Sequence, residues 1–510
     1  MTSPVDQVPT ELWLEVFQNL PSDSLIAVSL THRAFYNMSR HLVFAHFHFH
    51  PYGSTGTTLQ LPDIAHIRRA HDRLAFWSSD DIAAGVRSCS VTPWPARSAI
   101  FRDSRPYPAS SPSPLWLPPP LFLLDQFVAQ LDRFIGLKQL YLRDVYLTQP
   151  TITKLCRLPA LTNLHIHMCG IAHGARIDTT SLQLRVSVFE FTRRNGMDDG
   201  YTLWLPILRP ETLRKLEVSA NPIFFNKIIR MLPPFHRVHT LSLTMDLDKR
   251  VDNLRVLSKF PAVQTLSLSY WRNNTFAWAF NSDEAGPCVA MGVLPVLEHY
   301  KGYFRSLNTL LAIPTLRHLE AFELLGSGHP ANFMQQLVGL PTPLNLTLLE
   351  VSFEGFDHDA LILLSMYFPQ LTQLRLDILV KDIAINSANL QATTFFRTLG
   401  ESPTVPPTLE RLAICWKFTA IGYQVFVPFA TAGAKAQVPS HPGVHDLPDL
   451  ALLRSSLRRR CPRLTFLWLD GDDFLLHWRN LPHGEVEKSA LNIDQAPPLR
   501  QEISDLWDLW

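Results

Sequence analysis

The chain has 510 residues, 46% hydrophobic and 18% charged, which excludes a disordered polymer and suffices for a large buried core. Lys plus Arg (46) nearly cancels Asp plus Glu (45), and the formal charge of +1 excludes a general nucleic-acid binder, which needs a basic excess against phosphate. That length fits about three to four average domains, or a small module followed by one elongated repeat domain.

The first predicted elements lie between Val8 and Arg40, VPTELWLEVFQNLPSDSLIAVSLTHRAFYNMSR. Pro9 suits the first turn of a helix, where its missing N–H costs nothing. Leu12, Val16 and Leu20 recur on one helical face, and Trp13 and Phe17 widen the stripe. Pro21 ends that helix. Ser22 then caps a second one carrying Leu25, Ile26, Val28 and Leu30, with Asp23 favourable in its first turn. Thr31 caps a third, containing Ala34, Phe35 and Met38. A module of about 40 residues cannot bury this much apolar surface alone. Trp13, Phe17 and the neighbouring leucines therefore lie against something else, either the rest of the chain or a partner.

The stretch resembles an F-box. The features that carry the resemblance are Val8-Pro9-Thr10-Glu11, Val16-Phe17, Leu20-Pro21, the apolar run Leu25 to Leu30, and Arg33 with Phe35. Val8 stands where leucine is usual and Phe35 where tryptophan is common, both similar in bulk. The resemblance implies docking on the Skp-type adaptor of an SCF (cullin–RING) ubiquitin ligase, with Pro9, Leu12, Trp13, Val16, Phe17, Leu20 and Leu25 supplying the contact. A DNA-binding three-helix module is the competitor. Residues 1–40 hold two Arg and no Lys against four acids, the wrong sign for phosphate.

Residues 1–45 are accordingly assigned to the F-box and 46–120 to a linking and capping region. In HLVFAHFHFH (41–50), Phe47 and Phe49 alternate with His46, His48 and His50, the period of a half-buried strand. The three histidines are an exposed polar face, since no Cys or carboxylate completes a metal site at known spacing. RLAFWSSDDIAAGVRSCSVTPW (73–94) is expected as an N-terminal capping repeat. RPYPASSPSPLWLPPP (105–120) is an extended connector or an SH3-type ligand.

From residue 121 to 475 the pattern L-x-x-L-x-L recurs, beginning at Leu137, Leu161, Leu213, Val238, Val263, Leu346, Leu371, Leu409 and Leu464. Three fixed aliphatics arise by chance about eight times in this length, so the pattern alone decides nothing. Proline two residues earlier, at Pro159, Pro261, Pro369, Pro407 and Pro462, decides more. With 40 prolines in 510 residues, chance supplies less than about one such coincidence. Several starts also lie 24 or 25 residues apart, and SLQLRVSVF, PVLEHY and PTLRHL fill the wider gaps as degenerate copies.

A period near 25 with one strand per unit marks a leucine-rich-repeat solenoid. The predicted fold is α/β: three F-box helices, then an irregular horseshoe with a parallel concave sheet and convex helices such as PTITKLCRL and ALILLSMYF. Asn221 and Cys169 occupy the repeat's Asn/Cys position, while most units lack that residue. In whole layout the chain resembles F-box proteins of the leucine-rich class. Residues between the aliphatics face the concave side: Tyr141, Arg143, His165, His167, Glu217, Glu350, Arg375, Asp377, Trp468 and Asp470 form the candidate substrate surface. Recognition uses either that face or the loops.

An insertion near 418–450 separates the last two repeats, followed by Arg454, Arg458, Arg459, Arg460 and Arg463. These meet an acidic or phosphorylated segment or simply form a solvated helix end. The tail 476–510 ends in SDLWDLW, whose Trp507 and Trp510 are exposed unless they dock on the repeats or a partner. The cysteines, at 89, 156, 169, 288, 415 and 461, include no C-x-x-C pair and read as reduced core thiols. No apolar stretch approaches 18 residues, and Asp6, Glu11 and Glu15 do not suit a signal peptide, so a cytoplasmic or nuclear location is expected. G-x-S-x-G, P-loop and H-E-x-x-H motifs are absent, and neither enzymatic chemistry, cofactor nor metal is expected. The expected function is a substrate receptor that joins the Skp-type adaptor to an unidentified protein target. The competing reading is a leucine-rich scaffold without a ligase, whose first helices cap the solenoid.

Overall fold

The computed structural model describes residues 8–55, 58–60, 64–95, 121–171, 178–192, 201–220, 222–245, 256–269, 292–303, 307–322, 333, 337, 344–354, 358–381, 395–401, 405–419, 450–470, 475–481, 484–490 and 496–508. The connector 105–120, nearly all of the 418–450 insertion, Asn221, Cys288 and Trp510 lie outside them. The architecture is mixed α/β and divides into two compact units, Met1–Thr244 and Met245–Trp510. No helix among the described residues is long and apolar enough to cross a membrane.

The first unit opens with three short helices, α1 (Thr10–Gln18), α2 (Ser22–Ser29) and α3 (Arg33–Val43), and α3 packs on both others. Pro9 and Pro21 occupy the N-cap positions of α1 and α2, so Ser22 is the first helical residue and not the cap. Thr31 does not cap α3 either: its hydroxyl donates back to the Val28 carbonyl at 2.7 Å. His32 caps α3, its Nδ1 accepting from the Ala34 N–H at 3.1 Å. A ring nitrogen does the job usually given to a hydroxyl or carboxylate.

Strands β1 (His46–Phe49), β2 (Ser88–Val91), β3 (Gln139–Arg143), β4 (Asn163–His167), β5 (Val188–Thr192), β6 (Lys215–Ala220) and β7 (Thr240–Met245) follow in spatial order. The pairings from β1 through β6 are parallel. Register aligns Phe47, Cys89, Leu140, Leu164, Phe189 and Leu216 in one row, and Phe49, Val91, Leu142, Ile166, Phe191 and Val218 in the next. No residue of either row is more than 2% exposed. Parallel neighbours need crossover connections, and these carry α4 (Ile64–Trp77), α5 (Phe122–Gln130), α6 (Gln149–Arg157) and α7 (Pro222–Met231). On the core side, the Phe127 ring of α5 stacks on Phe49 at 5.3 Å. Residues 73–94, expected as a cap, supply the end of α4 and β2, a full rung of the sheet. Cys169 fills the turn after β4, with its sulfur accepting from the Val145 N–H at 3.4 Å.

In the second unit β8 (Thr265–Ser269), β9 (His299–Tyr303), β10 (His318–Phe322), β11 (Leu348–Glu354), β12 (Gln373–Lys381), β13 (Arg411–Thr419) and β14 (Phe466–Asp470) are parallel neighbours. Leu266, Tyr300, Leu319, Leu349, Leu374, Leu412 and Leu467 form the buried row. The degenerate copies PVLEHY and PTLRHL run into β9 and β10. Helices α8 (His358–Tyr367) and α9 (Leu450–Arg460) lie in the crossovers. The segment expected as a tail is built otherwise. β15 (Leu475–Leu481) and β16 (Gly484–Ala490) turn back antiparallel, and α10 (Ala496–Asp508) follows.

Candidate functional site

Two surfaces of the first unit present groups that its own packing does not use. In the helical module, Trp13, Phe17 and Phe35 form an aromatic cluster with ring centroids 4.7–6.0 Å apart. Phe17 is 1% and Leu25 6% exposed, and Trp13 and Leu20 are half-buried. Of the expected contact residues, Phe17 and Leu25 are therefore buried within the chain.

Exposed instead are Pro9, Leu12 and Val16 on α1, and Ile26 and Leu30 on α2 and its C-cap. Leu12 and Val16 are 51% and 49% exposed and one turn apart, as are Ile26 (45%) and Leu30 (78%). Scattered single apolar residues on a surface need no explanation, but here two such pairs lie within 20 residues. Ile26 and Leu30 were missed because helical periodicity shows which residues share a face and not which face the third helix covers.

The second surface is the side of the first sheet away from its helices. Here His48, Ser90, Tyr141, His165, Glu190 and Glu217 align across β1 to β6, with Arg143, His167 and Thr192 in the adjacent row. All five residues expected on this part of the surface, Tyr141, Arg143, His165, His167 and Glu217, are there, and none is buried. Glu190 was missed. It sits between Phe189 and Phe191 in VFEFT, a strand alternation that the longer leucine pattern obscured.

Glu190 organises the cluster. Its Oε2 lies 2.7 Å from His165 Nδ1 and its Oε1 3.1 Å from His167 Nε2. Hydrogen bonding from His165 first, then His167, holds its carboxyl well below the usual carboxylate range, against the opposing effect of burial. The Tyr141 ring lies 4.9 Å from that of His167, and burial raises the Tyr141 hydroxyl pKa. His46 and His48 are exposed on β1 as expected, but His50 turns to the Thr92 carbonyl at 2.8 Å and leaves their company.

The five expected residues of the second unit are engaged by the chain itself. Trp468 and Asp470 are 4% and 3% exposed. Arg500 of α10 grips Asp470 through two bonds of 2.8 and 2.7 Å. Trp507 Nε1 donates to Glu350 at 2.7 Å, and the Arg411 guanidinium lies 4.3 Å from the Trp507 ring centroid. Ile503 and Trp507 are buried with Ala413, Cys415, Phe466, Trp468 and Leu475. Arg375 lies over Trp468 and pairs with Asp377 at 3.5 Å and Glu350 at 4.0 Å. Trp507 docks back on the sheet, and Glu350, Trp468 and Asp470 are no part of an open surface. The arginine cluster is likewise mostly used internally. Arg454 pairs with Glu487, Arg458 with Glu485 at 2.7 Å, and Arg460 donates to the Leu399 carbonyl at 2.6 Å. Arg459 and Arg463 remain solvated.

Residues 5–47 match the family model of the F-box domain, over the three helices whose exposed leucines were described above. The chain therefore carries an F-box, a domain typical of adaptors rather than enzymes, which binds Skp-type adaptors in cullin–RING ligases. No curated protein matches the chain.

Proposed function

We propose that this F-box chain is the substrate receptor of an SCF-type ubiquitin ligase, its F-box docked on the Skp-type adaptor and its parallel strand–helix units forming a leucine-rich-repeat solenoid that holds the target. The single observation that carries the reading is the exposure of Leu12, Val16, Ile26 and Leu30 on a module whose aromatic core is closed by Phe35. The strand spacing of about 25 residues per unit supports the repeat assignment. The target surface is the open face of the first unit around Tyr141, Arg143, His165, His167 and Glu217, because α10 covers the corresponding face of the last strands of the second unit. No residue carries out chemistry. The receptor works by raising the effective concentration of the target beside the ubiquitin-carrying enzyme.

The test is binding of purified Skp-type adaptor to the intact chain and to a Leu12→Asp/Leu30→Asp variant. A loss of at least about 100-fold with an unchanged circular dichroism spectrum is expected, since both positions are exposed and charge there opposes an apolar partner. Phe17→Ala discriminates less well, because emptying that buried position costs about 3–5 kcal/mol of stability as well as altering the surface. An intact folded chain that does not bind the adaptor leaves a leucine-rich scaffold without a ligase in its place.

A further inference from the structure

Among the described residues, one group of donors converges as metal ligands do: His165, His167 and Glu190, whose ligand atoms all lie within 4.8 Å of one another. Sequence spacing places two of them and sheet register the third. His165 and His167 stand two apart on β4, so both side chains leave the same face. Glu190 on β5 is the direct register partner of His165. The pairing of the two strands fixes where the three side chains start, and their rotamers bring the ligand atoms together.

We infer that these three side chains form a binding site for a divalent transition-metal ion of the zinc class. Two imidazole nitrogens and one carboxylate oxygen suit zinc, cobalt or iron, whereas calcium and magnesium require six or more oxygens. The side chains are 16%, 22% and 19% exposed, shielded enough to give up water yet reachable from solvent. Ligands on a tetrahedral ion at 2.0–2.1 Å stand about 3.3 Å apart. The separations of 2.7 Å from His165 Nδ1 to Oε2 and 3.1 Å from His167 Nε2 to Oε1 run to different oxygens, so an ion requires the carboxylate to turn one oxygen to both rings and the contacts to open by about 0.2–0.6 Å.

A supporting layer is in place. The Gln139 side-chain amide lies 3.4 Å from His165 Nε2, the nitrogen not turned to the carboxylate. The amide nitrogen faces Nε2 here and favours a proton on Nδ1; with the amide turned over, its oxygen would accept from Nε2–H and free the Nδ1 lone pair for an ion. Tyr141 packs against the His167 ring from the neighbouring strand. Three protein ligands leave at least one coordination position for water or for a donor from a bound protein. The site rests on this sheet alone and not on the ligase reading, so a chain that failed to bind the Skp-type adaptor would leave it intact.

The experiment is titration of the untagged full-length chain with Co2+, read by the visible absorption bands of the bound ion, and then competition by Zn2+. One saturable equivalent is expected, displaced by Zn2+ and unaffected by excess Mg2+ or Ca2+. Losing an outer-layer partner weakens metal sites 10–100-fold, so His167→Ala or Glu190→Gln, which remove a ligand, should weaken binding at least about 100-fold. Circular dichroism checks that the variants remain folded, and His48→Ala, on the same sheet face but outside the cluster, should bind as the unaltered chain does. Absence of a saturable Co2+ spectrum, or equal binding by the His167→Ala and Glu190→Gln variants, would overturn the site.

Discussion

β4 in the first unit and β14 in the second each pair in parallel with the preceding strand and carry the same inward aliphatic pair, Leu164 with Ile166 and Leu467 with Leu469, yet their other faces differ. In β4, burial alternates, with Asn163, His165 and His167 part-exposed between the two. In β14 every residue is buried. The cause is the alternate row: His165 and His167 in one strand, Phe466 and Trp468 in the other. Where the last strands are apolar on both sides they have to be covered on both sides, and α10 supplies the second cover there. The lesson is that strands with the same leucine pattern build two kinds of surface, and the residues between the leucines decide which.

That contrast can be broken most severely by removing its cause. Truncation after Gln495 strips Ile503 and Trp507 from the sheet and leaves Asp470 buried without Arg500. At about 1.5–3 kcal/mol per large apolar side chain, the second unit loses on the order of 5 kcal/mol. Thermal unfolding should fall and binding of an apolar dye should rise; an unchanged melting curve would contradict the covering role. Trp507→Ala should cost about 3–5 kcal/mol on its own. Trp507→Phe, which keeps the ring but drops the bond to Glu350, should cost about 1 kcal/mol in denaturant titration.

A pH titration sharpens the same contrast. His477 is 1% exposed in β15, and burial first, then the charges of Arg479 and Lys488, push its pKa down to about 4 from 6.5. The folded chain prefers the neutral ring, while the unfolded ring takes up a proton near its ordinary value. The stability from this group is therefore complete above pH 6.5 and is lost as pH falls toward 4, by up to about 3 kcal/mol. His477→Leu should flatten that slope in urea titrations at pH 7 and pH 4.5. The smallest effect belongs to the open face, where Arg143→Ala should change stability by no more than about 0.5 kcal/mol.

Much of this was legible in the chain. The helices of the F-box follow from Pro9, Pro21 and the apolar spacing, and the leucine rows specify the buried face of nearly every strand. Two things were not. Which apolar residues of the first helices face inward depends on Phe35, which closes over Trp13 and Phe17 from a third helix. The occupied face of the second unit depends on a helix 26 residues beyond Asp470, at Ala496–Asp508. Its signal was present in Ala413, Cys415, Phe466 and Trp468, apolar residues at positions where the first unit carries polar ones. Glu190 escaped for a related reason: its partners are set by strand register, which the repeat spacing around it does not reveal.

The most direct test of the two-face account is hydroxyl-radical footprinting of the intact chain, read residue by residue by mass spectrometry. Tyr141, His165 and His167 should be modified readily, whereas Phe466, Trp468 and Trp507 stay protected until the chain is truncated after Gln495. Modification of Trp468 in the intact chain as fast as Tyr141 would mean that α10 does not cover the sheet, and the division between an open and an occupied face would fall.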